Sequence, residues 1–173
     1  MPLSMYQASV PIFTQVLAAL GNVMGKAEAY AAAKKFDPAV LIAARLAPDM
    51  LPLGRQVQLA SDFAKGAAAR LSGSDIPSWP DTEKTFAELQ GRIKRTLDYI
   101  QAFKPEAIDG SEARDVAVKV AGRELTFKGQ PYLLQFVMPN FYFHATTAYA
   151  ILRHNGVELG KRDFMGNVPG LTI

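Results

Sequence analysis

The stretch FYFHATTAYAILRHNG, residues 141–156, holds both histidines of the chain and decides how its last third folds. Phe141, His144, Ala148, Ile151 and Asn155 recur at steps of three and four, with Val137 one step earlier. That is the spacing of one buried face of an α-helix. Gly156 follows the last periodic residue, where a helix ends most easily on a glycine. The spacing predicts a long helix from about Pro131 to Asn155, kinked at Pro139.

Helical periods also govern the residues before it. Ser4 and Gln7 form a capping-box pattern at the start of a stripe that runs Tyr6, Phe13, Leu17, Leu20, Met24, Ala27 and Ala31. Pro11 is expected to kink this first helix, and Gly21 and Gly25 to weaken its middle. Asp37 and Pro38 restart a short helix that should stop near Leu46, because Pro48 disfavours helix at Ala47. Asp49 is the expected N-cap of a second long helix burying Val57, Ala60, Ala64, Ala67 and Leu71, with Gly73 at its end. A third should begin near Asp81 or Thr82, show Phe86, Leu89, Ile93, Leu97 and Ile100, and stop before Pro105.

The period changes to two over VAVKV (116–120) and ELTFK (124–128). Val116, Val118 and Val120 face Leu125 and Phe127 across the Ala121–Arg123 turn, which predicts a β-hairpin at about 115–128. The result is an all-α class, a four-helix bundle with one small hairpin inserted between the third and fourth long helices. One domain spans 1–173, with a glycine-rich tail at 157–173.

Composition narrows the chemistry. The chain has 173 residues, almost half of them apolar, and no cysteine. Disulfides and thiolate sites are therefore excluded, and a reducing, cytoplasmic location is expected. Residues 1–13 lack the basic and apolar regions of a signal peptide, and no apolar run approaches the ~20 residues of a membrane span. The net charge of +3 is a mild excess. Acids stand near the basic groups at 34–35 and 92–95, so these read as solvated helix faces, and no nucleic-acid partner is expected. No phosphate-loop, dinucleotide, nucleophile-elbow or zinc-protease motif is present.

His144 and His154 are ten residues apart, roughly 15 Å along a continuous helix. A metal about 2.1 Å from each ring could not be shared across that rise. His154 lies in the last turn, where it can cap carbonyls. His144 lies mid-stripe, as either a hydrogen-bonded core histidine or one facing a small, partly polar pocket. Partners at hand are Gln56, Gln58 and Asp62 on the second helix, and the hydroxyls of Tyr142 and Tyr149. Arg45 and Asp49 read as a cap with a nearby ion pair.

The segments RLAPDMLPLGRQVQLASDFAKG (45–66), DGSEARD (109–115) and PNFYFHATTAYAILRHNGVELGKRDF (139–164) resemble the uncharacterised bacterial family called domain of unknown function nineteen ninety-three. That family is similar to the DinB/YfiT-like four-helix bundles. The resemblance implies a DinB-like fold and names no activity. The wider superfamily holds a divalent metal with three histidines, one on the second helix and two a turn apart on the fourth. Here residues 51–72 contain no histidine, and Asn140 and Ala148 flank His144 at one turn. His154-Asn155-Gly156 is similar to the His-Arg-Gly that closes the superfamily's last helix, without its partners.

No metal and no cofactor are therefore expected. The expected function is a non-catalytic or degenerate DinB-like protein that binds a small molecule or a partner near His144. One alternative is a metal-dependent hydrolase or thiol transferase using His144 with Asp49 and Asp62. Another is a homodimeric interaction protein. A homodimer is the expected assembly, and a tail folded back on its own chain is the competing use of residues 157–173.

Overall fold

The structure is a computed structural model that describes residues 3–120 and 122–171. It is mostly helical, with one two-stranded antiparallel sheet. In chain order the elements are α1 (Val10–Lys34), α2 (Ala39–Ala43), α3 (Leu53–Ser72), α4 (Phe86–Gln101), α5 (Pro105–Ile108), β1 (Asp115–Val120), β2 (Arg123–Lys128), α6 (Gly129–Pro131), a π-helical segment (Tyr132–Val137), α7 (Met138–His154) and α8 (Lys161–Met165). The core forms where α3 packs on α7 and α4, and α1 on α4 and α7.

The apolar stripes bury as their spacing requires. Phe13, Leu17, Leu20, Met24, Ala27 and Ala31 of α1 are buried, as are Val57, Ala60, Ala64, Ala67 and Leu71 of α3. The alanines of α3 leave room for its neighbours to approach closely. Phe13 meets Phe141 of α7 edge-on, ring centroids 4.9 Å apart. The two glycines of α1 do not split it. A Cβ on Gly25 would lie 3.2 Å from Gln90 Nε2, so the missing side chain lets α4 come close.

Helix starts differ from the expectation, each for a local reason. The Ser4–Gln7 capping box forms, with Gln7 N–H donating to Ser4 Oγ at 3.2 Å, but it closes an isolated turn. α1 begins at Val10, which puts Pro11 in the first turn, where its missing N–H is not needed and no kink follows. Asp49 caps nothing. Pro52 is extended and holds the N-cap of α3, and the Leu53 N–H donates to the Ala44 carbonyl at 2.9 Å. Leu51 precedes a proline and resists helix, so the start moves past it. α4 begins at Phe86, because Thr85 and Glu88 make the capping box there. Pro105 opens α5.

The hairpin forms with Val116 opposite Phe127 and Val118 opposite Leu125, as their facing stripes require, but Arg123, expected in the turn, pairs with Val120 as the first residue of β2. Ala121, in its turn, lies outside the described residues. The chain leaves the hairpin through a tight contact: a Cβ on Gly129 would come 1.9 Å from the Ser111 carbonyl oxygen, so only glycine fits. The turns just before Pro139 widen into the π-helical segment. Met138 N–H donates to the Leu133 carbonyl, an i→i+5 bond, so the ladder has already departed from α spacing where proline has no N–H to give. At the far end Asn155 Nδ2 bonds the Ile151 carbonyl at 2.7 Å, and Val157 N–H takes that of Leu152. Asn155, not His154, therefore caps the helix, and His154 is exposed. α8 folds back along α1, with Gln15 Nε2 donating to the Met165 carbonyl at 2.9 Å and Lys26 paired to Asp163 at 2.6 Å.

One buried charge organises the connection between α3 and α4. The Arg92 side chain is wholly buried, which corrects its reading as part of a solvated face. Its guanidinium meets Asp62 Oδ1 at 2.9 Å, Asp81 Oδ1 at 2.9 Å and Glu83 Oε1 at 3.1 Å, and donates to the Pro80 carbonyl at 3.2 Å. Lys65 reaches Asp62 at 2.8 Å, and Arg55 pairs with Asp81. Lys65 and Arg95 both lie over the ring of Trp79, 4.5 and 4.2 Å from its centroid. This is why residues 81–84 are not helical: their acids are drawn to Arg92.

Replacing Arg92 with Met is expected to leave three carboxylates facing one another without their shared counter-ion. Because Asp62 keeps Lys65 and Asp81 keeps Arg55, and both acids are partly exposed, the loss should be about 1–3 kcal/mol, read by urea denaturation, with Trp79 emission shifting to longer wavelength as the loop releases. Unchanged stability and emission would contradict this.

Candidate functional site

His144 sits on α7 facing α3, and its ring Nδ1 lies 2.7 Å from Gln56 Oε1. Gln56 Nε2 donates to the Leu51 carbonyl at 3.0 Å, which turns its amide oxygen towards the imidazole. An amide oxygen only accepts, so Nδ1 carries the proton and Nε2 is the unprotonated nitrogen. Burial is the main cause that holds His144 below the ordinary histidine value of 6.5, and the positive charge of Arg55 adds to it. The ring is therefore neutral at physiological pH. It stacks on Phe63 of α3, centroids 5.7 Å apart and planes 19° apart, and Phe143 meets it edge-on at 5.3 Å.

From Phe63 the aromatic contacts continue away from His144. Phe63 meets Phe136 of the π-helical segment at 5.9 Å, and Phe136 meets Phe127 at 5.2 Å and Tyr132 at 6.1 Å. Phe63, Phe136 and Tyr132 form a wall beneath the hairpin, and Phe127 of β2 packs on it. Between the wall and β1 lies a cavity of about 180 Å³ lined chiefly by Leu59, Phe63, Tyr132, Phe136, Val118 and Val120, with Asp62, Arg70 and Lys119 as its polar groups. A second, more polar cavity of about 490 Å³ adjoins it, sharing Arg70, Val118 and Lys119. His144 stands one ring behind the cleft, separated from it by Phe63.

The structure brings only one of the expected partners to His144, and that is Gln56. Gln58 belongs to the Arg92 network, accepting from Arg55 at 2.6 Å and donating to Glu83 Oε2 at 2.8 Å. Burial works against ionisation of Glu83, but hydrogen bonds from its own backbone and Gln58, with the Arg92 charge, hold it below the usual carboxylate value. Asp62 lines the cleft while bonded to Arg92 and Lys65. The two tyrosines stand elsewhere. Tyr142 precedes His144 by two residues, about 200° around the helix, and Tyr149 follows it by five, about 140° around. Tyr142 is exposed, and Tyr149 packs edge-on against Phe164 of α8 at 5.9 Å. Arg45 bonds the Met50 carbonyl in place of an ion pair with Asp49.

The metal of the wider superfamily does not fit this donor set. His144 offers a single unprotonated nitrogen, Nε2, with Asn140 and Ala148 one turn to either side, and the Asp62 carboxylate is held by two cations. Among the described residues no three His, Cys, Asp or Glu side chains are grouped to hold a metal ion. The residues that line the cleft were legible only in part. Leu59, Phe63, Gly66 and Arg70 follow one another at steps of four, three and four, a second stripe on α3 beside the alanine stripe. Its meaning depends on the hairpin that covers it.

Because the unfolded chain binds a proton at His144 more tightly than the folded one, stability is lost as pH falls below the ordinary histidine value. Urea unfolding between about pH 7 and about pH 5 should show a drop in the wild type that is smaller in His144→Gln, which keeps a donor for Gln56. Equal slopes in both proteins would contradict a neutral His144.

Among curated proteins none matches the chain. The crystal structure of a DinB family member protein from Shewanella denitrificans is similar to it, 40% identical with a TM-score of 0.86, over 97% of this chain and 95% of that one. Residues 5–165 match the family described as Domain of unknown function (DUF1993), and with nearly its whole length matched the chain belongs to that family.

Proposed function

We propose that this DUF1993 protein is a DinB-like four-helix bundle that has kept the architecture without the three-histidine metal chemistry. Its function is to bind a small, largely apolar molecule in the cleft between the hairpin and α3. The observation that carries this reading is the aromatic wall of Phe63, Phe136 and Tyr132 facing an apolar space of about 180 Å³. An apolar cavity of ~150 Å³ is enough to take up benzene, so the cleft suits a body the size of one aromatic ring. Concave apolar sites with a few convergent polar groups are where small ligands bind.

His144 contributes from behind. Its bond to Gln56 fixes the imidazole, and the imidazole stacks against the outer face of Phe63, so the wall is held flat. The site acts by selecting shape and excluding water, and no group in it is placed to act as an activated nucleophile. The absence of cysteine supports a place in the cytoplasm.

Benzyl alcohol serves as a neutral one-ring probe. Saturation-transfer NMR should show it bound to the wild type, with the signal unchanged by EDTA. Val120→Trp, at an exposed position on the rim of the cleft, should abolish the signal and leave the melting temperature within about 2 °C. No binding to the wild type, or undiminished binding to Val120→Trp, would reject the reading.

A further inference from the structure

The cleft holds a cation without an anion. Arg70 lies half-buried at the junction of the two cavities that meet under β1. Its Nε donates to the Ala117 carbonyl at 3.3 Å and its Nη1 to the Tyr132 hydroxyl at 3.2 Å. Both acceptors are neutral. Among the described residues no carboxylate forms an ion pair with it, and its Nη2 has no bonding partner. The neighbouring acid, Asp62, does not serve: Arg92 and Lys65 already hold it. The Arg92 network is balanced within itself, with Arg55, Lys65 and Arg92 meeting Asp62, Asp81 and Glu83. The cleft's remaining charges are Arg70, Lys119 and the Glu124 that stands opposite Lys119 across the hairpin, which leaves one net positive charge.

The guanidinium is also held in place. It bonds β1 and the π-helical segment from α3, and a Cβ at position 66 would come 2.6 Å from Nη1, so Gly66 makes the space in which it lies. The Tyr132 hydroxyl accepts from Arg70 and keeps its own hydrogen to donate. Burial, opposed in part by Arg70, raises that hydroxyl above its ordinary value of 10.0, so it stays protonated at neutral pH. A fixed guanidinium and a phenol hydrogen therefore meet at one end of an apolar slot.

Resting on the reading of the cleft as a small-molecule site, we propose that its ligand class is a monocarboxylate with an apolar, one-ring body. The ring lies against Phe63 and Phe136, and the carboxylate is bound by Arg70 with the Tyr132 hydroxyl. Charge-assisted bonds of this kind are the strong ones, and arginine matches a carboxylate in shape as well as sign. Asp62 sets no opposing requirement for a cation, since its charge is already spent.

Three matched probes test this by titration calorimetry: 3-phenylpropionate, 3-phenylpropionamide and 3-phenylpropylamine. The acid should bind at least about tenfold more tightly than the amide, and the amine more weakly than both. Arg70→Gln should bring the acid down to the level of the amide and leave the amide unchanged, and Arg70→Lys should keep part of the preference. Melting curves check that both variants are folded, and the comparison among probes on the wild type needs no variant. Equal binding of acid and amide would overturn the carboxylate assignment and leave the apolar cleft standing. No binding by any of the three would overturn both.

Discussion

A guanidinium cannot be buried without compensation, and Arg92 imposes that requirement on α3, α4 and the connection between them. Its side chain is fully enclosed, so its charge must be met by acids brought from elsewhere. Asp62 comes from α3, and Asp81 and Glu83 from the connection between α3 and α4. One charge thus fixes the α3–α4 pairing, straightens residues 81–84 out of helix and anchors Trp79 between Lys65 and Arg95. It also decides what α3 can do chemically. The acid best placed to line the cleft is the one that Arg92 consumes.

The second constraint is the His144–Gln56 bond. Here a glutamine and one histidine satisfy each other directly, and the imidazole presents a neutral face to Phe63. Two polar pairings beside the cleft are closed, amide with imidazole and acid with guanidinium. What remains open at the cleft is apolar surface under the hairpin and Arg70, which no acid meets among the described residues. The site is defined by what the closed pairs leave over.

How far the sequence foretold this differs by kind of signal. The stripes of α1 and α3 and the two facing stripes of the hairpin follow from local periods, and Val116 does lie opposite Phe127, although the turn is one residue shorter than expected. The resemblance to the family was legible in long segments and holds. Helix starts were not, because Asp49 and Asp81 look like N-caps while their neighbours rule otherwise: Pro52 moves one start, and Arg92 draws Asp81 away. Arg92 itself reads as one more charge in a basic run, since nothing local says that a helix face will be covered. Of the expected pocket residues, Gln56 was found at His144, whereas Gln58 and Asp62 serve the adjoining network and Tyr142 and Tyr149 lie on other faces. Arg70 could not be read at all, because its acceptor in β1 is 47 residues away.

The account stands or falls on where a ligand goes. Mapping of amide and methyl shifts in labelled protein, titrated with 3-phenylpropionate, tests this most directly. The account predicts that Val118, Val120 and the side chains around Phe136 move with a common saturation curve, while the Gln56 side-chain amide stays where it is. Shifts centred on Gln56 and on the outer face of His144, with the hairpin silent, would contradict it.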